Sequence, residues 1–188
     1  VGVGLDGQNV VVFREDRWCT PATDDAPEEC HDPAAVGLTT TNYVKDPDSN
    51  RYAEIVDVDI ELNAVDYAFT VEPGSLTGPG CPMDLASVVT HEVGHLIGLA
   101  HSCSMPEDDP LLRDEDGEPL LPCQPSSALP DAIRFATMAG EASCGDASKA
   151  TVEADDVRGV CALYPLGEDP GTCQAPAPLE PETGCGCR

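Results

Sequence analysis

The chain has 188 residues, nine of them Lys or Arg and 35 Asp or Glu, for a formal charge of −26. So acidic a chain excludes nucleic acid and anionic membrane surfaces as partners, although the charge identifies no substrate. Its ten cysteines suit a disulfide framework in an oxidising compartment, secreted or at a cell surface, and no run is apolar enough to span a membrane. No signal peptide is present, so an exported protein of this sequence would be the mature or trimmed portion of a longer precursor.

The β-branched run NVVVF (9–13) predicts a buried strand. From Arg14 to Pro33 the chain is polar and rich in Pro and Asp, and Cys19 and Cys30 predict a loop stapled on itself. AVGLTTTNYV (35–44) and YAFTV (67–71) are strand-like through their Thr, Val and aromatic content. Between them, EIVDVDIELN (54–63) alternates, with Ile55, Val58, Ile60 and Leu62 among acids. Val56 slips the phase once and predicts a bulge.

Asp84 is placed to cap a helix, and Leu85, Val88, Val89, Val93, Leu96 and Ile97 follow at helical spacing. Residues 103–134 form a long, proline-rich acidic loop. TVEADDVRGVCALY (151–164) predicts a second helix, capped near Thr151. Beyond Tyr164 the chain has too little apolar content to fold alone. It therefore divides into one folded domain, residues 1–164, and a Pro/Cys-rich extended tail, residues 165–188.

VTHEVGHLIGLAHS (89–102) holds three of the four histidines. On a helix the i, i+4 spacing sets His91 above His95 on one face. Gly98 supplies the residue type that ends a helix in the left-handed region, which swings His101 back toward the other two. Three imidazoles and an open position make a catalytic type of zinc site. Neutral ligands leave Zn²⁺ a strong Lewis acid, and Glu92, beside the first ligand, is placed to take a proton from the activated water. A peptide bond is the natural target of such chemistry.

HEVGHLIGLAH is the HExxHxxGxxH pattern, and on it the chain resembles the metzincin metallopeptidases. Ser102, and DLASVVTHE (84–92) ahead of the motif, resemble the matrixin branch. The resemblance implies an α+β fold: a twisted mixed sheet, an active-site helix and a C-terminal helix. The family's first strand and long helix would lie upstream or be dispensed with. It further implies zinc ligands His91, His95 and His101, Glu92 as general base, and Met138 of FATMAG in a methionine turn beneath the metal. No Tyr follows two residues after Met138, so no tyrosine ligand is expected. GLTTTNYV (37–44) occupies the place of the strand that pairs with substrate, or is an ordinary edge strand. Either Asp155 or Asp156 would brace the methionine turn, or both belong to a solvated helix face. The resemblance also suggests a Cys81–Cys161 disulfide. The stretch from His101 to Met138 is longer than is usual in the branch and would flank the cleft.

Two segments carry weaker signals. DEDGE (114–118) offers closely spaced carboxylates for Ca²⁺, though a solvated acidic loop is the favoured reading. PETGCGCR (181–188) resembles the start of a myxobacterial surface-sorting motif, which would make the tail an anchor. The expected function is a secreted or surface-displayed zinc endopeptidase acting on protein or peptide substrates. The competing readings are a catalytically silent metzincin scaffold used for binding or adhesion, and a zinc amidase acting on another polymer. Intact Glu92 favours the first.

Overall fold

One nine-residue strand, buried on both faces, organises this chain. The computed structural model describes residues 3–23, 26–72, 82–106, 113–114 and 117–165. In chain order the elements are β1 (Val11–Arg14), β2 (Cys19–Thr20), β3 (Glu29–Cys30), β4 (Gly37–Tyr43) and β5 (Ile55–Asn63). There follow β6 (Phe69–Thr70), β7 (Met83–Asp84), α1 (Leu85–Leu96), α2 (Asp131–Arg134) and α3 (Ala154–Leu163). Short 3₁₀ turns cover Ser126–Ala128 and Ser148–Ala150. The architecture is a small α+β fold around a twisted mixed sheet of order β1-β5-β4, with β1 parallel and β4 antiparallel to the central strand.

On one face of β5, Ile60 and Leu62 are buried with Val36, Met83 and Val88, where α1 packs. Each such side chain contributes roughly 1.5–3 kcal/mol on leaving water. The bulge falls where the phase slips: Asn42 pairs with Asp57 and Tyr43 with Ile55, leaving Val56 over.

The other face carries Asp57, Asp59 and Glu61, only 1%, 0% and 0% exposed. Acids alternating with apolar residues ordinarily mark a half-solvated strand, but here the N-terminal segment covers them. Asp59 accepts hydrogen bonds from the Gly4 and Val10 N–H groups at 2.7 and 3.2 Å. Asp57 Oδ2 accepts from the N–H groups of Asp6 and Gly7. Glu61 pairs with Arg14 and takes the Thr20 hydroxyl at 2.6 Å.

The stapled loop is a hairpin: Cys19 and Cys30 face each other across β2 and β3 and are joined by a disulfide. A second disulfide, Cys103–Cys123, closes the base of the long loop. With Leu129, Met105 and Ile133 it forms a small separate core, so the described part of that loop is not structureless. Cys144 and Cys161 are disulfide-bonded as well. Cys81, the suggested partner of Cys161, lies outside the described residues, as do residues 166–188 of the tail. The last helix begins later than its capping signal suggests. Thr151 Oγ1 donates to the Glu153 carboxylate at 3.1 Å instead of capping, and Glu153 is the N-cap. No helix is long and apolar enough to cross a membrane among the described residues.

Candidate metal centre

The geometry of the centre starts at Asp84. Its Oδ2 accepts from the Ser87 N–H and hydroxyl, both at 2.8 Å, and this cap sets where α1 begins. Twelve residues later the helix stops. Gly98 has φ 94°, and the N–H of Leu99 returns to the Gly94 carbonyl at 2.9 Å. A side chain resists that φ, which is why glycine stands there. The reversed chain brings His101 to the helix, and the next residue, Ser102, donates its N–H to the Met138 carbonyl at 2.9 Å.

The three predicted ligands converge. His95 Nε2 lies 3.2 Å from His91 Nε2 and 3.1 Å from His101 Nε2. A tetrahedral ion with metal–nitrogen bonds of about 2.0–2.1 Å holds its ligand nitrogens roughly 3.3 Å apart. The tautomers fit as well. His91 Nδ1 is 2.8 Å from the Thr137 carbonyl, and His95 Nδ1 is 2.8 Å from the Leu99 carbonyl. A carbonyl only accepts, so each Nδ1 carries the proton and each Nε2 turns a lone pair inward. Facing lone pairs repel, and a cation between them removes the conflict. These residues can therefore hold one metal ion. A second group, Cys19, Glu28 and Cys30, also lies close together, but its two sulfurs form a disulfide and are not thiolate ligands.

Glu92 is buried beside them, and burial raises its carboxyl to about 7 against the opposing Thr39 hydrogen bond and Lys149 charge. A general base works best with a pKa near the operating pH. Burial, followed by the Lys149 charge, pushes His91 down to about 3, so its imidazole is neutral at ordinary pH, as a metal ligand must be.

Met138 is buried, and its sulfur packs against the helix at Gly94. A Cβ built on Gly94 would stand 2.2 Å from Met138 Sδ, so only glycine admits that contact. A mid-helix glycine costs about 1 kcal/mol against alanine, and that cost is the sequence signal for the close approach. Neither Asp155 nor Asp156 makes a described bond to the methionine turn; Asp156 Oδ2 takes the Glu153 N–H at 2.7 Å. The turn is tied elsewhere. Thr137 Oγ1 donates to the Thr151 carbonyl at 2.8 Å, and Lys149 Nζ donates to the carbonyls of Ala139 and Glu141. Lys149 is buried, and burial lowers its ammonium to about 8. Nothing in the sequence singles it out.

An open cleft of about 1050 Å³ runs over the histidines. β4 lines one side, with Gly37, Thr39 and Thr41 among the lining residues, and Gly140 and Ser143 line another. Met105 and Gln124 bring the disulfide-closed loop to the cleft as well. Most of that loop's acids, and DEDGE apart from Asp114, Gly117 and Glu118, lie outside the described residues. Asp114 Oδ1 accepts the Glu118 N–H at 2.8 Å, a turn-closing role. The chain matches no family model, no curated protein and no solved structure.

Proposed function

We propose that the chain is a zinc-dependent endopeptidase of the metzincin kind, with matrixin-like features. The observation that carries the proposal is the convergence of three imidazole Nε2 atoms beside a buried carboxylate, on the floor of an open cleft. When bound, zinc supplies a Lewis acid that activates water and polarises a carbonyl. His91, His95 and His101 hold it, and the carbonyls of Thr137 and Leu99 fix the rings of the first two. Glu92 takes the proton of the attacking water and returns it to the departing amine. β4 is the edge of its sheet among the described residues, so an extended peptide can add there as a further strand, held by main-chain hydrogen bonds. That favours a polypeptide over other amide polymers. Met138 forms an apolar floor and does not ligate. The disulfides support an extracytoplasmic location.

Incubating the purified protein with a mixed peptide library, with and without a chelator, tests the reading. Chelator-sensitive cleavage within peptides is expected. Zinc binding without cleavage would favour a silent binding scaffold, and cleavage confined to other amide polymers would favour an amidase.

A further inference from the structure

Glu92 is gripped from the side opposite its own helix. Thr39 Oγ1 lies 2.6 Å from Glu92 Oε2, to which it donates, and 3.1 Å from the carbonyl oxygen of the same residue. Gly37 stands two residues earlier, on the same face of β4. A Cβ built there would lie 2.4 Å from Glu92 Oε1 and 2.9 Å from its carboxyl carbon. A bare Cα and a hydroxyl, one strand repeat apart, thus form a slot for a single carboxylate. The slot has a physical purpose, because the last torsion of a glutamate side chain is broad and leaves the carboxylate free to turn. A short hydrogen bond to a charged acceptor removes that freedom.

We propose that Thr39 is a positioning residue for Glu92, with Gly37 providing the clearance: Thr39 holds Oε2, which leaves Oε1 to take the proton. The proposal rests on the endopeptidase reading and deepens it. The strand with which a peptide would pair is then also the clamp on the base, so substrate pairing and base alignment share one element. In this role the Thr39 hydroxyl acts only through Glu92.

The experiment compares Thr39→Val, which keeps the shape and loses the hydroxyl, with Thr39→Ser, which keeps the hydroxyl. Zinc content and thermal midpoint are measured beside kcat and KM. Thr39→Val is expected to lose roughly ten- to a hundred-fold in kcat, with KM little changed and zinc fully bound, and Thr39→Ser to restore most of the rate. In a Glu92→Gln background, Thr39→Val should cost nothing further, since the group it positions no longer acts as base. Full kcat in Thr39→Val, or an equal loss in the Glu92→Gln background, overturns the proposal. Should Thr39→Val fail to fold, Gly37→Ala supplies the second variant, because its methyl displaces the carboxylate and should lower kcat to a similar degree. Binding of acetohydroxamate, which chelates zinc and hydrogen-bonds a neighbouring carboxylate, gives a readout without turnover and should weaken in Thr39→Val. A wild type that neither cleaves peptides nor binds acetohydroxamate overturns the endopeptidase reading and this proposal together. Wild-type cleavage with an unaffected Thr39→Val overturns the positioning role alone.

Discussion

Two polar clusters sit on opposite sides of the β5 layer, one buried and one half-buried at the cleft, and they resolve the loss of water in opposite ways. Under the N-terminal segment, the Asp57, Asp59 and Glu61 carboxylates meet donors: main-chain N–H groups, Arg14 and the Thr20 hydroxyl. At the end of α1, three imidazole Nε2 atoms meet at 3.1–3.2 Å, with the lone pairs of His91 and His95 turned on one another. Both arrangements take polar groups out of water, which costs several kcal/mol unless partners are supplied. The first finds nearly all its partners within the chain and is closed to solvent, with Asp57 Oδ1 and one Arg14 Nη atom left over. The second gathers three imidazole Nε2 atoms beside the cleft, and that donor set can hold a metal ion.

The largest expected effect breaks the open cluster. Glu92→Gln should keep the fold and the metal while lowering turnover by about two to four orders of magnitude, and His95→Ala should lose the zinc, as metal analysis would register. Full zinc occupancy in His95→Ala would end the ligand assignment. Next comes the closed cluster. Asp59→Ala strands the Gly4 and Val10 N–H groups and should cost about 2–3 kcal/mol of unfolding free energy, read by denaturant titration, with zinc content per folded molecule unchanged. Zinc lost in step with that variant's stability would erase the distinction between the clusters. A smaller effect is expected from Gly94→Ala. Its methyl forces the Met138 sulfur aside, and zinc affinity should fall roughly ten-fold even though alanine favours the helix, as competition with a chromogenic chelator would reveal. The smallest effect is a silence. In the metal-free protein, with the His91 pKa near 3, the ring nitrogen shifts of His91 should stay constant between pH 5 and pH 7.5. A midpoint near 6.5 would show that burial does not hold the ring neutral.

Sequence made the open cluster legible because nearly all of it is local. The i, i+4 pair, the Asp84 cap and the Gly98 reversal act within 18 residues, 84–101, and the backbone follows them. The Val56 bulge was legible for the same reason, since a phase slip is written in the strand itself. What sequence could not supply is which distant segment closes on which face. Alternation in β5 does not reveal that residues 4–10 lie over its acids, that Thr39 reaches Glu92, or that Lys149 ties the turn after Met138. Each depends on contacts between residues 8 to 55 positions apart. The late start of α3 belongs to the same class. Thr151 had the right chemistry for a cap, but its hydroxyl went to Glu153 and its carbonyl to Thr137.

The Cys103–Cys123 bond lies two residues past the third histidine, and a bridge between Ser104 and Pro122 lies just inside it. Whatever happens to the chain between these cysteines, both ends stay clipped at the same point beside the cleft. A single peptide-bond cut in residues 104–122 would leave one covalent molecule, migrating as one band without reductant and as two with it. The same clip makes the far part of the segment replaceable: a foreign sequence spliced in beyond Met105 would hang from an anchorage that keeps the disulfide and its small core.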